Sequence, residues 1–164
     1  TENIALAQSA IAEFAGLEHR LEYVGKFRGI DFYNDSISTI PEAMERAIEA
    51  ITNVQTVIVG GQDRGIHREG MIEYLNQRPH LKLICLPDTG HQIFDRLTNE
   101  KYRVDNLEQA VKIAYQVTDA GQACVLSPAS PSYTFFKNFD IKPTFSPIDI
   151  SLSFTITNIF SNFL

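Results

Sequence analysis

Apolar residues recur at Ile4, Ala7, Ala10, Ile11 and Phe14, a helical spacing that Thr1 is placed to cap and Gly16 to end. Residues 21–24 and 30–34 are β-rich runs separated by a segment containing Gly25 and Gly29, which predicts a strand pair. Pro41 stands at a natural first helical position with Thr39 near the cap, and Met44, Ala47, Ile48 and Ile51 share one face of the helix it opens. The pattern then repeats. A strand at 56–59 and a glycine loop lead to a helix near 67–76, a strand at 81–86 and a helix near 90–97. A short strand at 102–104, a helix at 107–117 with Leu107, Ala110, Val111 and Ala114 inward, and a strand at 123–126 complete it. Strands alternating with helices of this length predict an α/β fold, a Rossmann-like three-layer domain whose mostly parallel sheet is flanked by helices. In such folds ligands sit beyond the carboxyl ends of the strands, so the loops there are where chemistry is expected.

Composition narrows the picture. The 164 residues suit one domain, and 44% hydrophobic with 21% charged residues is the profile of a globular chain. A formal net charge of -6 without a basic block argues against nucleic acid or an anionic membrane as partner. Cys85 and Cys124 lie inside apolar runs and are expected to be buried; His19, His67, His80 and His91 are scattered, so no metal site is expected. The first residues carry no secretory signal pattern, so the cytoplasm is the expected compartment and a monomer the expected state. Residues 144–164 carry Asp149 as their only charged side chain; they are too polar and interrupted to span a membrane and read as an atypical tail or an added strand.

Three loops follow predicted strands. In the first, residues 33–43, short polar side chains crowd a strand-to-helix turn; Ser38 or Thr39 would cap the helix, or the helix start would bind an anion. In the second, residues 59–65, three glycines let the backbone turn sharply, and Arg64 offers a fork that either grips a carboxylate or pairs internally with Asp63 or another acid. In the third, residues 126–139, serines and prolines shape a turn; Ser130 and Ser132 lack the surroundings of a catalytic nucleophile and read as binding serines. Neither a dinucleotide-type glycine turn nor a phosphate loop occurs in the chain.

Together these loops resemble the C-terminal domain of the Mur ligase family, in its D-glutamate-adding branch. The residues that carry the resemblance are Asn34-Asp35-Ser36-x-x-Thr39-x-Pro41-Glu42-Ala43, then Gly60-Gly61-x-Asp63-Arg64-Gly65, then Leu126-Ser127-Pro128-Ala129-x-x-Ser132 with Lys137-Asn138-Phe139. The segment 16–22 looks like the one that leads into that domain. The resemblance implies that residues 1–20 end a central domain, that 21–140 form the acceptor-binding domain and that 141–164 are a tail unlike the family's charged final helix. It implies a reaction in which ATP, with Mg2+, phosphorylates the carboxylate of UDP-N-acetylmuramoyl-L-alanine, and D-glutamate attacks the acyl phosphate. Thr39 and Arg64 on one side, and Ser132 with Phe139 on the other, match positions that hold the acceptor glutamate; Arg20 and Asp35 match positions near the nucleotide. No catalytic residue or metal ligand falls within the chain, which is expected to be inactive alone. Two departures stand out: Ile37 occupies a place where many members have lysine, and Arg64 replaces a lysine. A ligase of the same type with another acceptor and a non-catalytic flavodoxin-like binding module are the alternative readings.

Overall fold

The computed structural model describes residues 19–131, with Ile4, Gly16 and Leu17. The expected first helix and everything from Ser132 onward, including the tail, lie outside the described residues. Within them the order is β1 (Glu22–Phe27), β2 (Ile30–Asn34), α1 (Pro41–Ala50), β3 (Val54–Val59), α2 (Glu69–Asn76), β4 (Lys82–Cys85), α3 (Thr89–Ile93), β5 (Glu100–Arg103), α4 (Leu107–Val117) and β6 (Ala123–Leu126). A 3-10 turn, Phe94–Arg96, follows α3.

β1 and β2 form an antiparallel hairpin closed by Arg28 and Gly29, with φ of 51° and 83°. Two left-handed residues in a two-residue turn match the twist of the strands they join. The six-stranded sheet has the order β1-β2-β6-β3-β4-β5, and every pair beyond the hairpin is parallel. The last strand in sequence is thus inserted between β2 and β3. Chain progress from β2 to β5 runs one way across the sheet and the return through α4 runs back, so right-handed crossovers place the helices on both faces.

The burial pattern bears this out. Met44 and Ile48 of α1, Met71 and Leu75 of α2 and Ile93 of α3 pack with Val57, Val59, Leu83 and Val125. On the opposite face Leu107, Ala110, Val111 and Ala114 of α4 cover Phe32, Ile58, Ile84, Cys124 and Leu126. Because both faces are covered, neighbouring strand residues such as Val57, Ile58 and Val59 are all buried, and the strands read as continuous apolar runs. Each fully buried aliphatic side chain contributes about 1.5–3 kcal/mol. Both cysteines are free and buried, and burial pushes the Cys85 thiol up to about 12 and that of Cys124 up as well, so neither is a nucleophile near neutral pH.

Two helices are shorter than their periodicity suggests. The helix expected near 90–97 tightens after Ile93, because Lys101 Nζ takes the carbonyls of Phe94 and Leu97 at 2.8 and 2.5 Å and Asn76 Nδ2 takes that of Arg96 at 3.1 Å. α2 begins at Glu69, two residues later than expected, with Arg68 drawn back toward the preceding loop. No helix among the described residues is long and apolar enough to cross a membrane.

Candidate functional site

Since β2, β6 and β3 are adjacent and parallel, their carboxyl-end loops lie side by side. The first loop turns its polar side chains inward. Buried Asn34 donates to Glu22 Oε2 at 3.0 Å, meets His19 Nδ1 at 3.0 Å and accepts from the Ser36 amide at 3.1 Å. Asp35, also buried, is tied by three bonds to two other segments. Its amide donates to the Leu126 carbonyl at 2.8 Å, Oδ2 accepts from Ser127 Oγ at 2.7 Å and Oδ1 accepts from the Leu21 amide at 3.3 Å. Burial pushes the Asp35 carboxyl above its ordinary value, and the bonds from Ser127 and Leu21 and the charge of Arg20 oppose that rise.

Neither Ser38 nor Thr39 caps α1. The turn closes when the Ser38 amide donates to the Asp35 carbonyl at 2.9 Å, and the chain then runs extended through Ile40, which is the residue at the cap position and has no side-chain acceptor. Pro41 has no N–H to be satisfied, so the helix starts without one. Beside it a cleft of about 260 Å³ is lined by Arg20, Leu21, Asp35, Ile37, Ser38, Ala43, Arg46 and Ala47. Arg20 and Asp35 are therefore brought together, and exposed Ile37 forms part of the same wall.

The second loop is fixed through its backbone. Gly60 has φ of 125°, and a Cβ there would lie 2.7 Å from the Leu86 carbonyl; at Gly61 it would lie 2.7 Å from that of Pro131. Only glycine fits both positions. The Gly60 and Gln62 amides donate to the carbonyls of Pro128 and Pro131 at 3.0 and 2.8 Å, joining this loop to the third. Asp63 Oδ1 accepts from the Gly65 amide at 2.9 Å and from Arg68 Nη2 at 2.8 Å, and these contacts hold its carboxyl below the ordinary value. Asp63 is thus committed to Arg68, leaving Arg64 exposed with no hydrogen-bond or ion-pair partner among the described residues. In the third loop Ser127 and Ser130 are buried, and Ala129 adopts a φ of 53°.

Of the residues singled out from sequence, Thr39 is half-buried in the loop after β2 and Arg64 is exposed in the loop after β3, on the two sides of β6. Ser132 and Phe139 lie outside the described residues. Among the described residues no group of three or more His, Cys, Asp or Glu side chains is placed to hold a metal ion. Sequence reasoning missed Arg68, Asp88 and Thr89, and gave Ser127 a place in a motif but no role. The only signal for Asp88 and Thr89 is an Asp-Thr-Gly at a strand end, which reads as an ordinary helix start.

The family model for the Mur ligase, glutamate ligase domain, matches residues 19–130. The chain is 35% identical over 139 residues to UDP-N-acetylmuramoylalanine–D-glutamate ligase of Caldanaerobacter subterraneus subsp. tengcongensis, covering 81% of this chain and 31% of that protein. It is 40% identical over 136 residues to UDP-N-acetylmuramoyl-L-alanine–L-glutamate ligase of Salinispora tropica, covering 80% and 30%. The chain therefore spans less than a third of these relatives. Among solved structures the fold resembles a bifunctional folylpolyglutamate synthase/dihydrofolate synthase with Mn, AMPPNP and L-glutamate bound, with a TM-score of 0.54 and 19% identity over 77% of this chain and 35% of that one. The likeness to the synthase shows the fold alone. With the family model and the curated relatives agreeing over the same residues, the chain belongs to the Mur ligase family, in its glutamate ligase domain.

Proposed function

We propose that this chain is the acceptor-binding part of a longer ATP-dependent ligase that joins D-glutamate to UDP-N-acetylmuramoyl-L-alanine in peptidoglycan synthesis. The observation that carries the reading is the exposed Arg64 guanidinium, without a partner among the described residues, on a braced glycine loop beside two further loops at the carboxyl ends of adjacent parallel strands. A free guanidinium is suited to a carboxylate through paired charge-assisted bonds. Thr39 and Arg64 would hold one side of the glutamate, and Ser132 and Phe139 the other. Residues 21–140 would form this acceptor domain, residues 1–20 the end of a central domain and 141–164 a tail; the enzyme would work as a cytoplasmic monomer.

The residues present fit part of a nucleotide and not the whole. The cleft between Arg20 and Asp35 has a cation for a phosphate oxygen and an acid for a sugar hydroxyl, but the chain has no phosphate loop. ATP with Mg2+ supplies the phosphoryl group that activates the donor carboxylate. What this chain contributes is the orientation of the acceptor: fixing both glutamate carboxylates aims the amine at the activated carbonyl and converts a bimolecular encounter into a positioned one.

A second reading concerns handedness. The L-glutamate ligase of Salinispora tropica is 40% identical, against 35% for the D-glutamate ligase of Caldanaerobacter, so L-glutamate is the alternative acceptor. Ligation assays on the longer protein with D-glutamate and L-glutamate in parallel decide between them. Product with D-glutamate alone is expected; product with L-glutamate alone replaces the first reading by the second, and ATP turnover with neither removes both.

A further inference from the structure

The loop after β4 contributes nothing to the three motifs, yet its last residue, Asp88, and the first residue of α3, Thr89, reach into them. Asp88 stands in a strained left-handed conformation, with φ of 62°, that a residue other than glycine adopts at a cost. From there its Oδ2 accepts the Asp63 amide at 2.8 Å, next to Arg64. The neighbouring Thr89 is buried and saturated. Its hydroxyl donates to the Gly61 carbonyl and accepts from the Gly61 amide, each at 2.9 Å, and lies 3.0 Å from Ser130 Oγ. A hydroxyl has one proton, and here it goes to Gly61, so Ser130 is the donor to Thr89. The Thr89 amide adds a bond to the Gly61 carbonyl at 3.1 Å. The backbone crossing is tight, because a Cβ on Gly90 would lie 2.7 Å from the Val59 carbonyl.

One threonine hydroxyl thus joins the loop that carries Arg64 to the loop that leads into Ser132. We propose that the Asp88-Thr89 pair is a positioning clamp for the acceptor, which sets the separation of two of the three loops that hold the glutamate carboxylates. The inference rests on the glutamate-ligase reading for its substrate, and on the hydrogen bonds above for its geometry. Neither residue touches the reacting atoms; both act through the backbone of residues 61–63 and through Ser130. Acceptor affinity is the property such a clamp controls. The nucleotide side of the site, at Arg20 before β1 and Asp35 after β2, is not tied to the clamp by these bonds.

The test compares Thr89→Val, which keeps the shape and loses the hydroxyl, with Thr89→Ser, which keeps the hydroxyl. In the longer ligase, Thr89→Val is expected to raise the KM for glutamate roughly tenfold to a hundredfold while the KM for ATP stays within about twofold, with Thr89→Ser returning the glutamate KM toward wild type. Equal KM values in all three proteins overturn the proposal. So does an equal loss in every substrate, or a Thr89→Ser as impaired as Thr89→Val, because a general packing role would do that. Amide exchange at Gly61 supplies a readout that needs no turnover. Faster exchange in Thr89→Val than in Thr89→Ser is expected, and identical exchange overturns the clamp even if the protein ligates nothing. Absence of glutamate-dependent turnover in the wild type would instead remove the ligase reading, leaving the exchange result to judge the clamp.

Discussion

The loops that leave β2 and β3 flank the same strand and are built on opposite plans. In the loop after β2 the polar side chains Asn34, Asp35, Ser36 and Ser38 face inward, and the apolar Ile37 and Ile40 face out. Its shape is held by side chains. In the loop after β3 the backbone itself is wedged between carbonyls at Gly60 and Gly61 and pinned by Asp88 and Thr89, while Arg64 projects without a partner among the described residues. Its shape is held at its main-chain groups, by neighbouring carbonyls and by the side chains of Asp63, Asp88 and Thr89, which leaves Arg64 available to a ligand. Each loop therefore tolerates change in a different place: the first at its exposed apolar residues, the second at side chains that project from the braced backbone, Arg64 among them.

The sharpest way to break the contrast is to add side-chain bulk where the second loop has none. Gly60→Ala puts a Cβ 2.7 Å from the Leu86 carbonyl at a φ of 125°. A loss of roughly 3 kcal/mol is expected from strain and forced backbone movement, read as a lower urea midpoint. An unchanged midpoint would mean that the loop is not held by its backbone.

Next in size is Arg64→Ala. Charge-assisted bonds contribute about 1.5–3 kcal/mol each, so glutamate affinity should fall roughly tenfold to a hundredfold. Stability should stay within about 0.5 kcal/mol, since an exposed side chain without a partner among the described residues is lost cheaply. Calorimetric titration of glutamate and a urea melt of the same variant check both halves. A large loss of stability would show Arg64 to be a structural cation, and the two loops would then be alike.

Much of this was legible in sequence, for reasons that particular residues make clear. The 3.6-residue period at Leu107, Ala110, Val111 and Ala114 reads correctly because one helix face meets one sheet face and nothing else decides it. The strand at Ala123–Leu126 reads correctly because it is buried on both faces. Its place between β2 and β3 is a tertiary fact with no local signal. The loops were legible as glycine and short-polar clusters, and Arg64 as a candidate, but its neighbour's choice of Arg68 was not. That choice depends on Gly65, at φ of 72°, turning the chain so that Arg68 and not the adjacent residue reaches Asp63. Thr89 escaped notice because its partners, Gly61 and Ser130, are 28 and 41 residues away.

A smaller effect is expected from Ile37→Lys. Ile37 is half exposed and lines the cleft with Arg20 and Asp35, so exchanging it should move stability by no more than about 0.5 kcal/mol. The added cation faces the side of the cleft assigned to the nucleotide. Tighter ATP binding by the longer protein with an unchanged glutamate KM is the expected outcome, and a changed glutamate KM would show that position 37 acts on the acceptor, as Thr39 of the same loop is proposed to do, and not on the nucleotide.

The finest test of the contrast is the sign of each loop's response to pH. Burial favours the neutral form of Asp35, so its folded pKa lies above the unfolded one. Its contribution to stability is fully present below the unfolded value and is lost as pH rises through the folded value. Asp63 is displaced the other way by the Gly65 amide and Arg68, so its contribution is present above the unfolded value and lost as pH falls through the folded one. Replacing each by Asn removes the titration. The stability difference, wild type minus variant, should therefore decline with rising pH for Asp35→Asn above the ordinary aspartate range, and decline with falling pH for Asp63→Asn below it. Urea melts across the acid range give both curves. Slopes of the same sign would mean that the two acids share one environment, and the division between a loop shaped by buried side chains and one shaped by its backbone would no longer hold.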